Sequence, residues 1–161
     1  MKNLILIRHA KSSWDAPLKD IDRTLENRGI KDAHLVAINS MSFIPKTFLI
    51  YSSPAKRAAE TAMIFAQNLS YPIEDIIFND QLYTFDEKQL EHFVENLNNI
   101  NENVIIFGHN EAITNFVNKF GDVLIDNVAT SGFVSIKFDI NNWKALTKGK
   151  TSKIIFPKDL K

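Results

Sequence analysis

Four short apolar runs separated by helical patterns constrain the fold of this 161-residue chain more than any other feature. They cover residues 4–7, 48–51, 76–78 and 104–107, are rich in β-branched and aromatic residues, and lack clean alternation with polar residues. Continuous runs of this kind are typical of strands buried on both faces. The alternation of strand and helix therefore predicts an α/β three-layer sandwich, in which helices flank a mostly parallel central sheet.

Helical spacing is clearest over residues 55–69, where small and apolar side chains recur at intervals of three and four. Ser53 and Pro54 are suited to the N-cap and the first position of this helix. Asp86 followed by Gln89 resembles a capping box at the start of another helix. The remaining boundary signals are Thr24 as an N-cap and Gly121 as a helix stop.

The pattern changes after residue 132, where apolar and polar residues alternate over residues 133–138. Residues 139–142 have turn chemistry, and residues 143–146 are suited to a return strand. We therefore expect a C-terminal antiparallel hairpin. Because no linker, repeat or low-complexity segment interrupts the chain, residues 1–161 are predicted to form a single domain.

Charge and composition exclude several classes of function. Lys plus Arg and Asp plus Glu both total 19, so no basic surplus indicates a nucleic-acid partner, and any anion site must be local. The chain has no cysteine, which excludes thiolate zinc sites and cysteine nucleophiles. The first apolar run is too short for a signal sequence or a membrane span, so a cytoplasmic location without membrane association is expected.

Two of the four histidines are predicted to lie at the same edge of the sheet. His9 follows the first apolar run, and His109 follows the fourth run after Gly108. Ligands of open α/β sheets bind at the carboxyl ends of the strands, where these two side chains are expected. His34 lies among the apolar positions of a helix and is predicted to pack at the core edge, whereas His92 is predicted to be exposed.

Two arginines are expected near the same edge. Arg8 ends a strand that is otherwise apolar, and a buried guanidinium needs an anionic partner or a full set of acceptors. Arg57 lies in the first turn of a helix, where the helix dipole disfavours a cation. A phosphate dianion that binds both the helix end and the guanidinium accounts for this position. The sequence therefore predicts a phosphoryl site made by Arg8, His9, Arg57 and His109.

The ordered set of motifs resembles the histidine phosphatase superfamily, which includes the cofactor-dependent phosphoglycerate mutases. The motifs are Arg8-His9, Ser53-x-x-x-Arg57-x-x-x-Thr61 and Gly108-His109. More narrowly, the chain is similar to SixA-type phosphohistidine phosphatases in residues 8–14 and 22–25 and in Gly29 downstream of them. The resemblance spans roughly residues 3–120. Ala10 stands where the superfamily usually has glycine, and we expect its φ to be negative.

The resemblance implies a phosphoglycerate mutase-like fold and a two-step phosphatase reaction. His9 is implied to attack phosphorus and to form a phosphohistidine that water then hydrolyses. Arg8, Arg57 and His109 are implied to bind the phosphoryl oxygens, and the scheme requires neither metal nor cofactor. The two arginines favour neutral His9 because like charge lowers the pKa of a histidine. We expect a backbone carbonyl to hold the other ring nitrogen.

The proton donor is the missing part of the pattern. Mutase-like relatives carry a glutamate shortly after the third strand, and Thr84 stands at about that position here. Threonine cannot protonate a leaving oxygen. Asp15 is the preferred substitute because it follows the nucleophile loop, and Asp22, Asp80 and Asp86 are the other candidates.

Both the missing acid and a short loop bear on the substrate. A phosphoramidate depends less on a general acid than an alkyl ester does, and the short segment between Phe78 and Gln89 leaves no room for a capping subdomain. An open site favours protein phosphohistidine as substrate. The alternatives are a phosphomonoesterase for small metabolites and a phosphate-binding module without turnover. A metalloenzyme is disfavoured because two histidines without paired carboxylates are not a recognisable ligand set.

Overall fold

A six-stranded sheet runs through the computed structural model, which describes all 161 residues. The strands are β1 (Lys2–Arg8), β2 (Leu49–Ser52), β3 (Ile77–Phe78), β4 (Asn103–Gly108), β5 (Phe133–Phe138) and β6 (Lys150–Ile155). The helices are α1 (Asn27–Ser40), α2 (Lys56–Asn68), α3 (Glu87–Glu95) and α4 (Ala112–Phe120). Short 3₁₀ turns occur at Asp20–Asp22, Met41–Phe43, Ile73–Asp75, Asp80–Leu82, Trp143–Ala145 and Pro157–Leu160.

The strand order is β3-β2-β4-β1-β5-β6. The first four strands of the chain run parallel, β5 is antiparallel to β1, and β6 is antiparallel to β5. The mostly parallel sheet and the terminal hairpin are therefore confirmed. In the register of β1 and β4, Arg8 lies opposite Gly108, so the residues that follow them leave the sheet side by side.

Helices cover both faces of the sheet, as the unbroken apolar runs predict. Along β1, Leu4 and Leu6 belong to the core cluster that contains residues of α3 and α4. Ile5 and Ile7 point to the other face and join the cluster that contains residues of α1 and α2. Because both faces are apolar, every position from 4 to 7 is buried, which explains why the sequence does not alternate there.

The return strand of the hairpin lies later in the chain than predicted. Residues 143–146 do not form it, because Trp143 turns inward, is fully buried and donates its indole N–H to the carbonyl of Asn101 at 2.9 Å. Strand β6 instead occupies residues 150–155. A buried tryptophan needs a hydrogen-bond partner, and the 3₁₀ turn supplies that geometry.

Two predicted helix starts are wrong, and in each case a long-range contact takes the capping residue. Helix α1 begins after Glu26 rather than after Thr24, because the Thr24 carbonyl accepts from the N–H of Ser13 and Leu25 forms an antiparallel bridge with Ser12. Helix α2 begins after Ala55 rather than after Ser53, and the Ser53 hydroxyl is directed to a histidine described below.

The other boundary signals are mostly confirmed. Asp86 caps α3 by accepting a hydrogen bond from the N–H of Lys88, and α4 ends before Gly121. Gln89 does not close the capping box; its side chain accepts from Thr84 instead. Strand β3 is only two residues long and lies at the sheet edge with both side chains exposed, so the prediction of burial fails there.

No capping subdomain covers the carboxyl edge of the sheet. Residues 79–86, which connect β3 to α3, contain only the 3₁₀ turn Asp80–Leu82. None of the helices has the length and apolar character needed to cross a membrane.

Gly29 holds the loop after β1 against α1, and its replacement is expected to destabilise the fold. A Cβ at this position would lie 2.2 Å from the carbonyl oxygen of Lys11. We expect Gly29→Ala to lower the free energy of unfolding by about 2 kcal/mol in urea titrations, because backbone must shift. Gly108→Ala is the matched control, since its Cβ would meet its nearest neighbour at 3.7 Å. Equal losses in the two variants would contradict this account of Gly29.

Candidate active site

The structure brings the two predicted histidines and the two predicted arginines together in one cleft. The cleft has a volume of about 310 Å³ and lies at the carboxyl ends of the central strands. The residues that line it are Arg8, His9, Lys11, Ser12, Trp14, Asp20, Arg23, Arg57, Phe85, His109, Asn110 and Thr130.

The backbone fixes the orientation of the His9 ring. Its Nδ1 lies 2.7 Å from the carbonyl oxygen of Ala10, which accepts only from a protonated nitrogen. The lone pair therefore lies on Nε2. This contact is the backbone carbonyl that the sequence predicts, and Ala10 has no positive φ, as expected.

Thr61 ties the nucleophile loop to α2. Its hydroxyl accepts from the N–H of Ala10 at 2.9 Å and donates to the carbonyl of Arg57 at 2.7 Å. Thr61 is fully buried, so both bonds are shielded from water. The turn after His9 and the helix that carries Arg57 are thus joined by one side chain.

Arg57 connects His9 to a carboxylate that sequence reasoning missed. Its Nε lies 3.4 Å from Nε2 of His9, while Nη1 and Nη2 donate to the backbone oxygen and to Oδ2 of Asp20 at 2.7 and 3.0 Å. Asp20 also accepts a hydrogen bond from the hydroxyl of Tyr83. Asp20 begins the short 3₁₀ turn Asp20–Asp22 between β1 and α1, and no periodic signal in the sequence marks it.

Arg8 approaches the cleft from the end of β1. Its Nη1 donates to the carbonyl of Val128 at 2.9 Å, and its Nε is buried without a partner. A buried guanidinium nitrogen without an acceptor is costly unless a ligand supplies one. Arg8 therefore retains donor capacity for an anion.

His109 stands beside His9, with ring centroids 5.3 Å apart. Its Nε2 lies 2.8 Å from the hydroxyl of Ser53, and its Nδ1 is buried without a partner. When the hydroxyl donates to Nε2, the neutral ring carries its proton on Nδ1. Ser53, predicted as a helix cap, thus acts on the tautomer of His109. The ring of Phe85 packs at 5.5 Å from the His109 ring.

The family model of the histidine phosphatase superfamily (branch 1) matches residues 4–83, a segment that contains Arg8, His9 and Arg57. The chain belongs to the histidine phosphatase superfamily. His109 lies outside the matched segment, but it lines the same cleft, as the order of the motifs predicts.

Solved structures share this fold over nearly the whole chain. The protein histidine phosphatase SixA in complex with tungstate is 20% identical with a TM-score of 0.81, and the comparison covers 99% of both chains. A SixA-type protein from Agrobacterium tumefaciens is 22% identical with a TM-score of 0.79, over 96% of this chain and 97% of the other. At these identities the likeness establishes the fold.

A sequence relative extends the comparison to a plant. An uncharacterised chloroplastic protein of Arabidopsis thaliana is 48% identical over 63 residues. The match covers 37% of this chain and 28% of the plant protein, so it spans little more than a quarter of the relative's length.

Burial keeps both histidines of this superfamily member neutral. The pKa of His9 is lowered to about 4, first by burial and then by the charges of Arg57 and Arg8, against the opposing effect of the Ala10 carbonyl. Burial, followed by the neighbouring His9 and Arg57, lowers the pKa of His109 to about 3. The arginines contribute as the sequence predicts, but loss of solvation is the larger cause.

None of the four predicted acid candidates lines the cleft. Asp15 is exposed and does not line the cleft, so its role as proton donor stays a prediction. Asp20 is the only carboxylate of the cleft. Burial raises its pKa, but hydrogen bonds from Tyr83 and Arg57 outweigh burial and lower it, so the group is an ionised carboxylate.

The remaining candidates lie outside the site. His34 Nδ1 lies 3.0 Å from the side-chain nitrogen of Asn68 at the core edge, and His92 is exposed, as predicted for both. Thr84 is buried and bonded to Gln89. No group of three His, Cys, Asp or Glu side chains is arranged to hold a metal ion.

The lowered pKa of His9 predicts a neutral imidazole far into the acid range. In ¹³C-edited NMR titrations, the His9 ring is expected to stay neutral from pH 8 to 5 and to gain its proton near pH 4. Because the unfolded histidine takes up a proton at about pH 6.5, this group also makes stability fall as the pH drops from 6.5 toward 4. The variant His9→Asn assigns the resonance. A midpoint near 6.5 would contradict the burial of a neutral ring.

Proposed function

We propose that this protein is a phosphatase that forms a phosphorylated His9 and hydrolyses phosphohistidine in proteins. The observation that carries the proposal is the state of His9, which is neutral, held through Nδ1, and has its Nε2 lone pair beside two arginines and a second histidine. This is the arrangement that nucleophilic attack on a dianionic phosphoryl group needs.

The reaction proceeds in two displacements. Nε2 of His9 forms a bond to phosphorus, and the bond from phosphorus to the leaving nitrogen breaks, with its electron pair going to that nitrogen. A leaving imidazole that is protonated on its other nitrogen departs as a neutral ring. Water then attacks phosphorus, the electron pair of the P–N bond returns to His9, and inorganic phosphate leaves.

The cationic and donor groups of the cleft stabilise the charge on the transferred group. Arg8 supplies donors that have no protein acceptor, and His109 supplies the N–H on Nδ1 when Ser53 donates to its other nitrogen. Arg57 keeps two of its five N–H groups for the substrate after its bonds to His9 and Asp20. Such fixed donors cost no reorganisation during the reaction.

The lack of a good proton donor in the cleft favours a phosphoramidate substrate over an alkyl phosphate. Asp20, the only carboxylate there, is held ionised by Arg57 and Tyr83 and is a poor proton donor. An alkoxide leaving group needs a donor, whereas a protonated imidazole does not. The chemistry therefore supports phosphohistidine as the substrate.

The open mouth of the cleft favours a phosphorylated protein over a small metabolite. No capping subdomain stands over it, and the aromatic side chains of Trp14 and Phe85 are 75% and 53% exposed at its rim. Apolar rings at the rim of an open site can pack against a protein surface.

Steady-state release of phosphate tests this function. We expect turnover of a phosphohistidine protein domain and of an aryl phosphate, with much lower kcat/KM for alkyl phosphates such as phosphoserine. His9→Ala is expected to lose at least about a thousandfold in kcat, since the covalent route is removed. His92→Ala, at an exposed histidine outside the cleft, is the matched control and should retain full activity.

The alternatives predict other results in the same assay. A small-molecule phosphomonoesterase would prefer alkyl phosphates from a metabolite panel to the phosphohistidine domain. A phosphate-binding module would bind inorganic phosphate without releasing it from any substrate. Turnover by His9→Ala equal to that of the wild type would refute the nucleophile.

A further inference from the structure

Arg23 also lines the cleft, although it is not among the residues predicted to bind the phosphoryl group. It follows the 3₁₀ turn Asp20–Asp22, lines the same cleft as Arg8 and Arg57, and is only 7% exposed. A buried arginine without a full set of acceptors is costly. The contacts of its guanidinium show which donors are left for a ligand.

The terminal nitrogens of Arg23 have no acceptor within the protein. The side chain makes one hydrogen bond, from Nε to Oδ1 of Asp20 at 3.3 Å, and its Nη1 is buried without any partner. This contrasts with Arg57, whose Nε, Nη1 and Nη2 are all engaged by His9 and Asp20. Of these two guanidiniums, Arg23 has the greater unused donor capacity.

Two neighbours hold the guanidinium in place. The ring of Trp14 lies over it, with the central carbon 3.4 Å from the ring centroid, and Asp20 binds it from the edge. Asp20 also binds Arg57, so a single carboxylate sets the positions of two arginines. The charge of Arg23 contributes to the lowered pKa of His9, which is consistent with its proximity to the nucleophile.

We propose that Arg23 is a third phosphoryl-binding arginine and that Trp14 is the positioning residue that holds its guanidinium flat at the rim of the cleft. Asp20 accepts from Nε of Arg23, which leaves the terminal nitrogens for substrate oxygens. The stacked ring restricts the side chain before substrate arrives and so reduces the entropy lost on binding. This inference rests on the proposed function for the identity of the ligand, a phosphoryl group.

Binding of inorganic phosphate, followed by calorimetry at pH 7, tests the role of Arg23 without requiring turnover. Arg23→Ala is expected to weaken phosphate binding by about ten- to a hundredfold, the effect of losing charge-assisted hydrogen bonds. Arg23→Lys keeps the charge but loses the planar fork and should recover part of the affinity. Arg28→Ala is the matched control because Arg28 is an exposed arginine that pairs with Asp32 on α1.

The phosphate affinity of Trp14 variants tests whether the indole ring positions Arg23. Trp14→Ala is expected to weaken phosphate binding by about three- to tenfold, since the guanidinium loses its stacking partner but keeps its charge. Trp14→Phe retains an aromatic face and should restore most of the affinity. An equal loss in both variants would contradict a positioning role through stacking.

An effect of Arg23 that acts only through Asp20 is separated by a double-mutant cycle. If Arg23 contacts the phosphoryl group, Arg23→Ala still weakens phosphate binding in the Asp20→Ala background. If it only holds Asp20, the loss disappears in that background and the proposal is overturned. Unchanged phosphate affinity in both Arg23→Ala and Arg23→Lys would overturn it as well.

Turnover and phosphate affinity, measured together, separate the role of Arg23 from the phosphatase activity. Normal turnover of phosphohistidine with unchanged phosphate affinity in the Arg23 variants refutes the third arginine alone. Phosphate binding that depends on Arg23, with no turnover of any phosphorylated substrate by the wild type, refutes the phosphatase and keeps the binding role.

Discussion

The parallel pairing of β1 with β4 determines where the groups of the site lie. Because Arg8 is opposite Gly108 in this register, His9 and His109 leave the sheet as neighbours, with their rings 5.3 Å apart. The pairing requires both strands to be buried on two faces, and the unbroken apolar runs satisfy that requirement. A slip of one residue would turn the nucleophile loop to the wrong face and would separate the histidines.

Around this pair, fixed contacts prepare the groups before any substrate binds. The Ala10 carbonyl selects the tautomer of His9, and Thr61 joins the turn after the nucleophile to the helix of Arg57. Burial then keeps the imidazole neutral, more strongly than the neighbouring arginines do. The orientation and the protonation state of His9 therefore both follow from the fold. Groups fixed in this way stabilise a transition state whose charge lies on phosphoryl oxygens without reorganising during the reaction.

The sequence predicts the parts of this arrangement that are adjacent to regular structure. Arg8, His9 and His109 were recognisable because each lies at the end of an apolar run, and Arg57 because a cation in a first helical turn needs an explanation. Asp20 and Arg23 were missed as site residues because they lie in the connection between β1 and α1, at a short 3₁₀ turn that only tertiary contacts bring to the cleft.

The wrong boundaries have a related cause. Long-range partners override local signals: Ser53 bonds to His109 rather than capping α2, Leu25 bridges to Ser12 before α1, and Trp143 enters the core in place of a return strand.

The central claim is that Nε2 of His9 becomes phosphorylated during turnover. Rapid mixing with substrate, an alkaline quench that preserves phosphohistidine, and NMR of the isolated peptide identify both the residue and the ring nitrogen. We expect phosphate on Nε2 of His9 and on no other side chain of the enzyme, since Nδ1 is held by the Ala10 carbonyl. Phosphate on Nδ1, phosphate on another residue, or release of phosphate without any phosphorylated enzyme would contradict it.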